Sequence, residues 1–265
     1  MTTADFHMHT GASFDAEMTA EQACEAAIAA GLPAIAITDH VEMVPDLAGD
    51  PDRVAQESWA AATRVQEQYR GRLRVARGIE LGEPLYDLPH AQEILARYPY
   101  DYVLVSQHTT ESGMDYYHAD YTDLDIGEAM DAYFASVLRL VEWGGFHTLA
   151  HLTYPFRYMP AQRRPADYTR WQSAIDAIFR VMADRGLALE INTSGLRGPI
   201  GCTQPDAPLI RRFHELGGQF ITLGSDAHFA KDVGAGLAKA ARLAQDAGFT
   251  AATVFFGGQR EVLPF

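Results

Sequence analysis

Cysteine is nearly missing from this sequence: two in 265 residues, Cys24 and Cys202, and no CxxC pair. That excludes a disulfide framework and argues against a thiolate zinc knuckle. Both thiols read as small buried apolar residues. No run approaches the roughly 18 apolar residues of a membrane span. The opening residues also lack the basic start and long apolar stretch of a secretory signal, so no membrane partner and a cytoplasmic setting are expected. Positive charge is in short supply, 21 Lys and Arg against 35 Asp and Glu, for a net charge of −14. A polyanion would be repelled, so a nucleic-acid partner is not expected, although a local basic pocket for one phosphate remains compatible. No linker rich in Pro, Gly or Ser, no repeat and no low-complexity tract divides residues 1–265, which points to one domain. The sequence does not specify an oligomeric state.

Hydrophobic residues make up 48% of the chain, enough for a sizeable core. Short apolar runs suggest strands at 4–8, 34–38, 74–79, 101–106, 146–150, 187–191 and 219–223, with a further strand at 252–256. Amphipathic patterns between them predict helices over 19–30, 51–70, 126–143, 168–185, 206–216 and 235–247. Thr19 and Asp50-Pro51 act as start signals, and Gly31, Gly144, Gly186, Gly217 and Gly248 as stops. Seven strands alternating with helices imply an α/β fold with a parallel, closed or nearly closed barrel, or alternatively an open doubly wound sheet.

All seven main strands carry a His, Asp or Glu at or just beyond the carboxyl end. The segments are His7-Met8-His9, Thr38-Asp39-His40, Gly78-Ile79-Glu80, Ser106-Gln107-His108, Ala150-His151, Glu190-Ile191-Asn192 and Gly224-Ser225-Asp226-Ala227-His228. The carboxyl ends of the strands are where a β/α barrel builds its active site. A lone histidine is more often structural than functional, but so many costly polar groups gathered at one end call for a shared partner. Imidazole and carboxylate donors suit Zn²⁺, Mn²⁺ or Fe²⁺. The candidates outnumber the ligands of a single ion, so two or three divalent ions are expected. Such ions can polarise a phosphoryl oxygen and generate hydroxide near neutral pH.

In this order, these motifs resemble the PHP family, named for polymerases and histidinol phosphatases. The resemblance runs from His7-Met8-His9-Thr10 through Glu190-Ile191-Asn192-Thr193-Ser194-Gly195 to His228. It implies a distorted (β/α)7, TIM-barrel-like fold with a trinuclear metal centre. His7, His9, Glu80 and Asp226 would hold a first ion. Glu80 would bridge to a second, held also by His108 and His151. Asp15, His40 and His228 would hold a third. Glu80, Asp15 and His228 would have catalytic roles, the last two near the departing oxygen.

Length and layout resemble the stand-alone histidinol-phosphate phosphatases of histidine biosynthesis. That implies a small phosphate ester as partner, L-histidinol phosphate first, attacked in line by metal-bound hydroxide. Arg157 and Arg197 lie just past strand ends, where guanidinium groups can grip a phosphate bidentately. Glu42, together with the polar segment 111–123 and its His118, is expected against the ammonium and imidazole, and that segment can act as a lid. The pattern Thr153-Tyr154-Pro155 departs from the Asp-containing pair that follows this histidine in many family members.

Three alternatives have distinguishing features. A family phosphoesterase acting on nucleotides or other small esters would need a different pocket. Metal-dependent C–N hydrolysis usually employs a mid-barrel lysine, whereas Lys231 and Lys239 follow the last ligand motif. A non-catalytic scaffold would have lost ligands, and every motif here is intact.

Overall fold

The computed structural model describes residues 3–45 and 47–265. The first two residues, part of the opening read above for a targeting signal, lie outside it. The strands are β1 (Ala34–Ile37), β2 (His40–Glu42), β3 (Arg74–Gly82), β4 (Tyr102–Ser106), β5 (Thr148–Leu149), β6 (Ala188–Asn192) and β7 (Ile221–Gly224). They pair in parallel in the order β1-β3-β4-β5-β6-β7, with β2 continuing alongside β3. The ring is closed by the extended segment at residues 5–9. On one side Asp5 N–H donates to Ala34 O and Thr38 N–H to Met8 O; on the other, Phe6 N–H donates to Leu223 O and His9 N–H to Ala227 O. The fold is therefore a distorted (β/α)7 barrel, and the open-sheet alternative falls.

The helices are α1 (Ala20–Ala29), α2 (Pro51–Gln68), α3 (Leu88–Arg97), α4 (Ile126–Trp143), α5 (Gln172–Arg185), α6 (Ala207–Glu215) and α7 (Leu237–Ala247). Local chemistry sets their ends. Thr19 and Gln22 form a reciprocal capping box at α1, and Pro51 follows the Asp50 cap at α2. Alternation along β1 divides the core: Ile35 and Ile37 belong to the layer shared with helices. Ala34 and Ala36 belong to an inner cluster with Phe6, Ala76, Tyr102, Leu104 and Ala150.

Several expectations need correction. The run at 4–8 forms isolated bridges rather than a continuous strand. The run at 146–150 shortens to Thr148–Leu149, and 168–185 begins with a 3₁₀ turn before α5. Helix α3 and strand β2 were not anticipated. The last run is β8 (Ala251–Phe256), which pairs antiparallel with an unanticipated β9 (Gln259–Pro264). This hairpin closes the amino end of the barrel. Gly257 N–H donates to the Asp101 carboxylate, just ahead of β4, and Phe255 stacks on Tyr102 at 5.3 Å. The carboxyl end stays open.

Candidate metal centre

Nine side chains singled out as ligands converge at the open end. His7 and His9, two residues apart in an extended segment, share a face, with their Nε2 atoms 3.1 Å apart. Glu80, fully buried on β3, divides its oxygens. Oε2 lies 3.1 Å from His7 Nε2 and 3.1 Å from His40 Nδ1. Oε1 lies 3.0 Å from His151 Nε2 and 3.4 Å from His108 Nε2. Asp226 Oδ1 lies 3.3 Å from His9 Nε2. Asp15 Oδ2 lies 3.1 Å from His228 Nε2 and 3.8 Å from His40 Nε2. Groups of three donors close enough to share an ion include His7-His9-Asp226, His7-Glu80-His151, His40-Glu80-His108 and His9-His40-His228.

A surrounding layer holds these groups in place. His7 Nδ1 is 2.6 Å from Glu190 Oε1, and Glu190 Oε2 accepts the His151 N–H at 2.7 Å. Gly224 makes this possible: a Cβ there would lie 2.1 Å from Glu190 Oε1 and 2.5 Å from His7 Cβ. Asp39, fully buried, accepts from the Thr10, Ser13 and Ser58 hydroxyls and so pins the loop that runs from His9 to Asp15. Glu83, at φ 46°, accepts the backbone N–H groups of His108 and Thr109. Sequence reading counted Glu190 and Asp39 among the polar groups at the strand ends without assigning either a specific role, and gave Glu83 none. Glu190 and Asp39 stood inside the recognised motifs, whereas the unusual backbone of Glu83 has no sequence signature.

Charge in this crowd is governed by neighbours. Burial alone would raise Glu80, but His7 and His40 hold it well below the usual carboxylate range. For Asp226, burial is likewise outweighed, by His7 and His9. Burial opposes charge on His7, yet Glu190 and Glu80 push it well up. His40 is pushed up to about 9 by Glu80 and Glu42 against the same burial. His9 goes the other way, down to about 3, through burial and the neighbouring His40 and His228. Burial and the neighbouring Glu42 raise Glu83 well above its ordinary value. The buried carboxylates thus demand positive charge at this spot, which imidazolium protons or divalent cations can supply. A donor set of neutral imidazole and ionised carboxylate, without thiolate, fits Zn²⁺, Mn²⁺ or Fe²⁺.

The crown forms the floor of a cavity of about 890 Å³. Arg157 and Arg197 stand on its wall. Arg157 Nη1 donates to Ser194 Oγ (3.1 Å) and Asp226 Oδ2 (3.2 Å). Arg197 Nη2 donates to the carbonyls of Ser225 (2.8 Å) and Asp226 (3.1 Å). Segment 111–123 supplies another wall through Asp115, Tyr117 and the exposed His118. Glu42, expected against substrate, is only 4% exposed and turns its carboxylate onto His108 and His40. The histidines left outside the site lie elsewhere: His90 pairs with Asp52, His147 Nδ1 accepts from Val103 N–H, and His214 packs against Phe249.

Fold and donor set together define a β/α-barrel protein with clustered side chains able to hold metal ions at the carboxyl ends of its strands. Residues 5–194 match the PHP domain, and the chain belongs to that family. A probable histidinol-phosphatase of Deinococcus radiodurans is 32% identical over 92% of this chain and 93% of its own length. A probable histidinol-phosphatase of Clostridium acetobutylicum is 30% identical over 91% and 92%. Among solved structures, the histidinol phosphate phosphatase of Lactococcus lactis, complexed with zinc, L-histidinol and phosphate, superposes with a TM-score of 0.88. It is 27% identical, over 98% of this chain and 99% of that one.

Proposed function

We propose that this protein is a phosphomonoesterase that hydrolyses L-histidinol phosphate to L-histidinol and phosphate. Two or three divalent ions, zinc, manganese or iron, would be held by His7, His9, Asp15, His40, Glu80, His108, His151, Asp226 and His228. When bound, such ions polarise phosphoryl oxygens and lower the pKa of water at the site. The observation that carries the reading is the meeting of this crown with two guanidinium groups in one cavity. The full-length likeness to histidinol phosphatases supports the particular ester.

Each group then has a task. Arg157 and Arg197 grip the phosphate and offset charge on its equatorial oxygens as the P–O bond breaks. Their anchors on Ser194, Asp226 and Ser225 fix them before substrate arrives. Glu80, with an oxygen toward each half of the crown, holds those halves in register. Asp15 and His228, at 35% and 19% side-chain exposure, stand nearer the mouth, where the departing alkoxide needs stabilising. Asp115 and His118 on the wall offer polar partners to an ammonium and an imidazole. An acidic surface and a phosphate-sized basic patch favour a small ester over nucleic acid, consistent with a cytoplasmic biosynthetic setting.

The test is phosphate release, with Mn²⁺ or Zn²⁺ supplied, from L-histidinol phosphate, nucleotides, sugar phosphates and p-nitrophenyl phosphate. L-histidinol phosphate should lead the panel in kcat/KM by orders of magnitude. Turnover of another ester with histidinol phosphate ignored would overturn the substrate and leave the phosphatase.

A further inference from the structure

Glu42 lines the cavity beside the crown and turns its carboxylate toward two of the crown's histidines. Its Oε1 lies 3.0 Å from His108 Nδ1, and His40 Nδ1 is 3.1 Å from the same oxygen. The opposite nitrogen of His108, Nε2, faces Glu80 and His151. An ionised carboxylate only accepts, so the His108 hydrogen is fixed on Nδ1 and the Nε2 lone pair is aimed into the crown. His40 and Glu42 stand two residues apart on β2, and their register partners on β3 are Glu80 and Gly82. A Cβ on Gly82 would lie 1.7 Å from Glu42 Oε2, and all three of its nearest atoms would belong to that carboxylate. Gly82 does not have the positive φ that would itself require glycine. The missing side chain is therefore space that Glu42 fills as it reaches across β3 to His108.

We infer that Glu42 is a positioning residue, a carboxylate that orients His108 for ion binding and depends on Gly82 for its place. The inference rests on the proposal that ions sit on these imidazoles. Orienting carboxylates of this kind typically change metal affinity 10–100-fold.

Two variants separate the outcomes. Glu42→Gln keeps the shape but offers one accepting oxygen and an amide that cannot accept. Gly82→Ala removes no polar group but displaces the Glu42 carboxylate. Ion affinity is measured by competition with a chromophoric chelator, ion number at saturation by elemental analysis, and Tm on the metal-stripped proteins. Both variants should bind about 10–100-fold more weakly, reach the wild-type ion number at excess metal, and melt, when stripped, no lower than wild type by more than a few degrees. Wild-type affinity in both variants would overturn the inference. An ion number one short at saturation would also overturn it, because Glu42 would then be a ligand, with Glu83 and His108 as its neighbours. If the wild type itself bound no ion, the proposed function would fall first and the inference with it.

Discussion

Asp226 has φ 54°, in the left-handed region that non-glycine residues enter rarely, aspartate and asparagine more readily than most. The turn swings its carboxylate back over His9 and onto Arg157, so the backbone cost is tied to the candidate metal site. Asparagine tolerates the same conformation, which separates strain from chemistry. Asp226→Asn should melt close to wild type when both are metal-stripped, yet lose at least about 100-fold in kcat/KM; calorimetry beside a phosphate-release assay reads both. Arg157→Lys keeps the charge but loses the planar fork. It should reduce kcat/KM by roughly 10–100-fold, the value of charge-assisted hydrogen bonds, with ion content unchanged by elemental analysis. Equal activity in Arg157→Lys would remove that residue from phosphate recognition.

The β8–β9 hairpin serves the opposite end of the barrel, and its effects should be on stability alone. Asp101, 3% exposed, accepts from Gly257 N–H, Arg77 and Gln66. Asp101→Ala leaves Arg77 without its partner and unties the hairpin turn. A loss of about 3 kcal/mol in unfolding free energy is expected, with kcat/KM of the folded enzyme unchanged. Nearby, burial and then Arg260 push His147 down to about 4. Its depressed folded value means that its contribution is complete above its unfolded pKa near 6.5. That contribution is lost as pH falls toward 4, because the unfolded chain then binds the extra proton. His147→Gln, whose carbonyl can still accept from Val103 N–H, should flatten the fall of Tm across that window. Parallel pH profiles would contradict the assignment.

Elements with strong punctuation were legible in the sequence. Thr19, Asp50-Pro51 and the left-handed Gly144 and Gly186 bound helices found within a few residues of expectation. Helix α3 was missed because only Ala91 and Ile94 are buried along it, too thin a stripe to read, although Asp87 caps it and Pro89 opens it. Strand β2 escaped because three residues, His40–Glu42, carry no period of their own and pair only once β3 lies beside them. Strand β9 is nearly all exposed, with three polar residues followed by Val262, Leu263 and Pro264, so it carries no alternating apolar pattern that would reveal its pairing with β8.

Across the whole molecule, the barrel and the crown were legible for one reason: chemistry-bearing residues recur at one end of every strand, and the parallel fold brings those ends together. The supporting layer was less legible. Glu42 and Glu190 look like any strand carboxylate until the glycines opposite them, Gly82 and Gly224, are seen to make room. The closed ring also concentrates buried carboxylate charge that needs cations, so removing metal should lower Tm, and adding it back should restore stability as mass action requires.

The most direct test of the account is a reconstitution titration: metal-stripped protein, Mn²⁺ or Zn²⁺ added in equivalents, and phosphate release from L-histidinol phosphate measured at each step. No turnover without metal and a rise to a plateau at two or three equivalents are expected. Turnover independent of metal, or none at full occupancy, would contradict it.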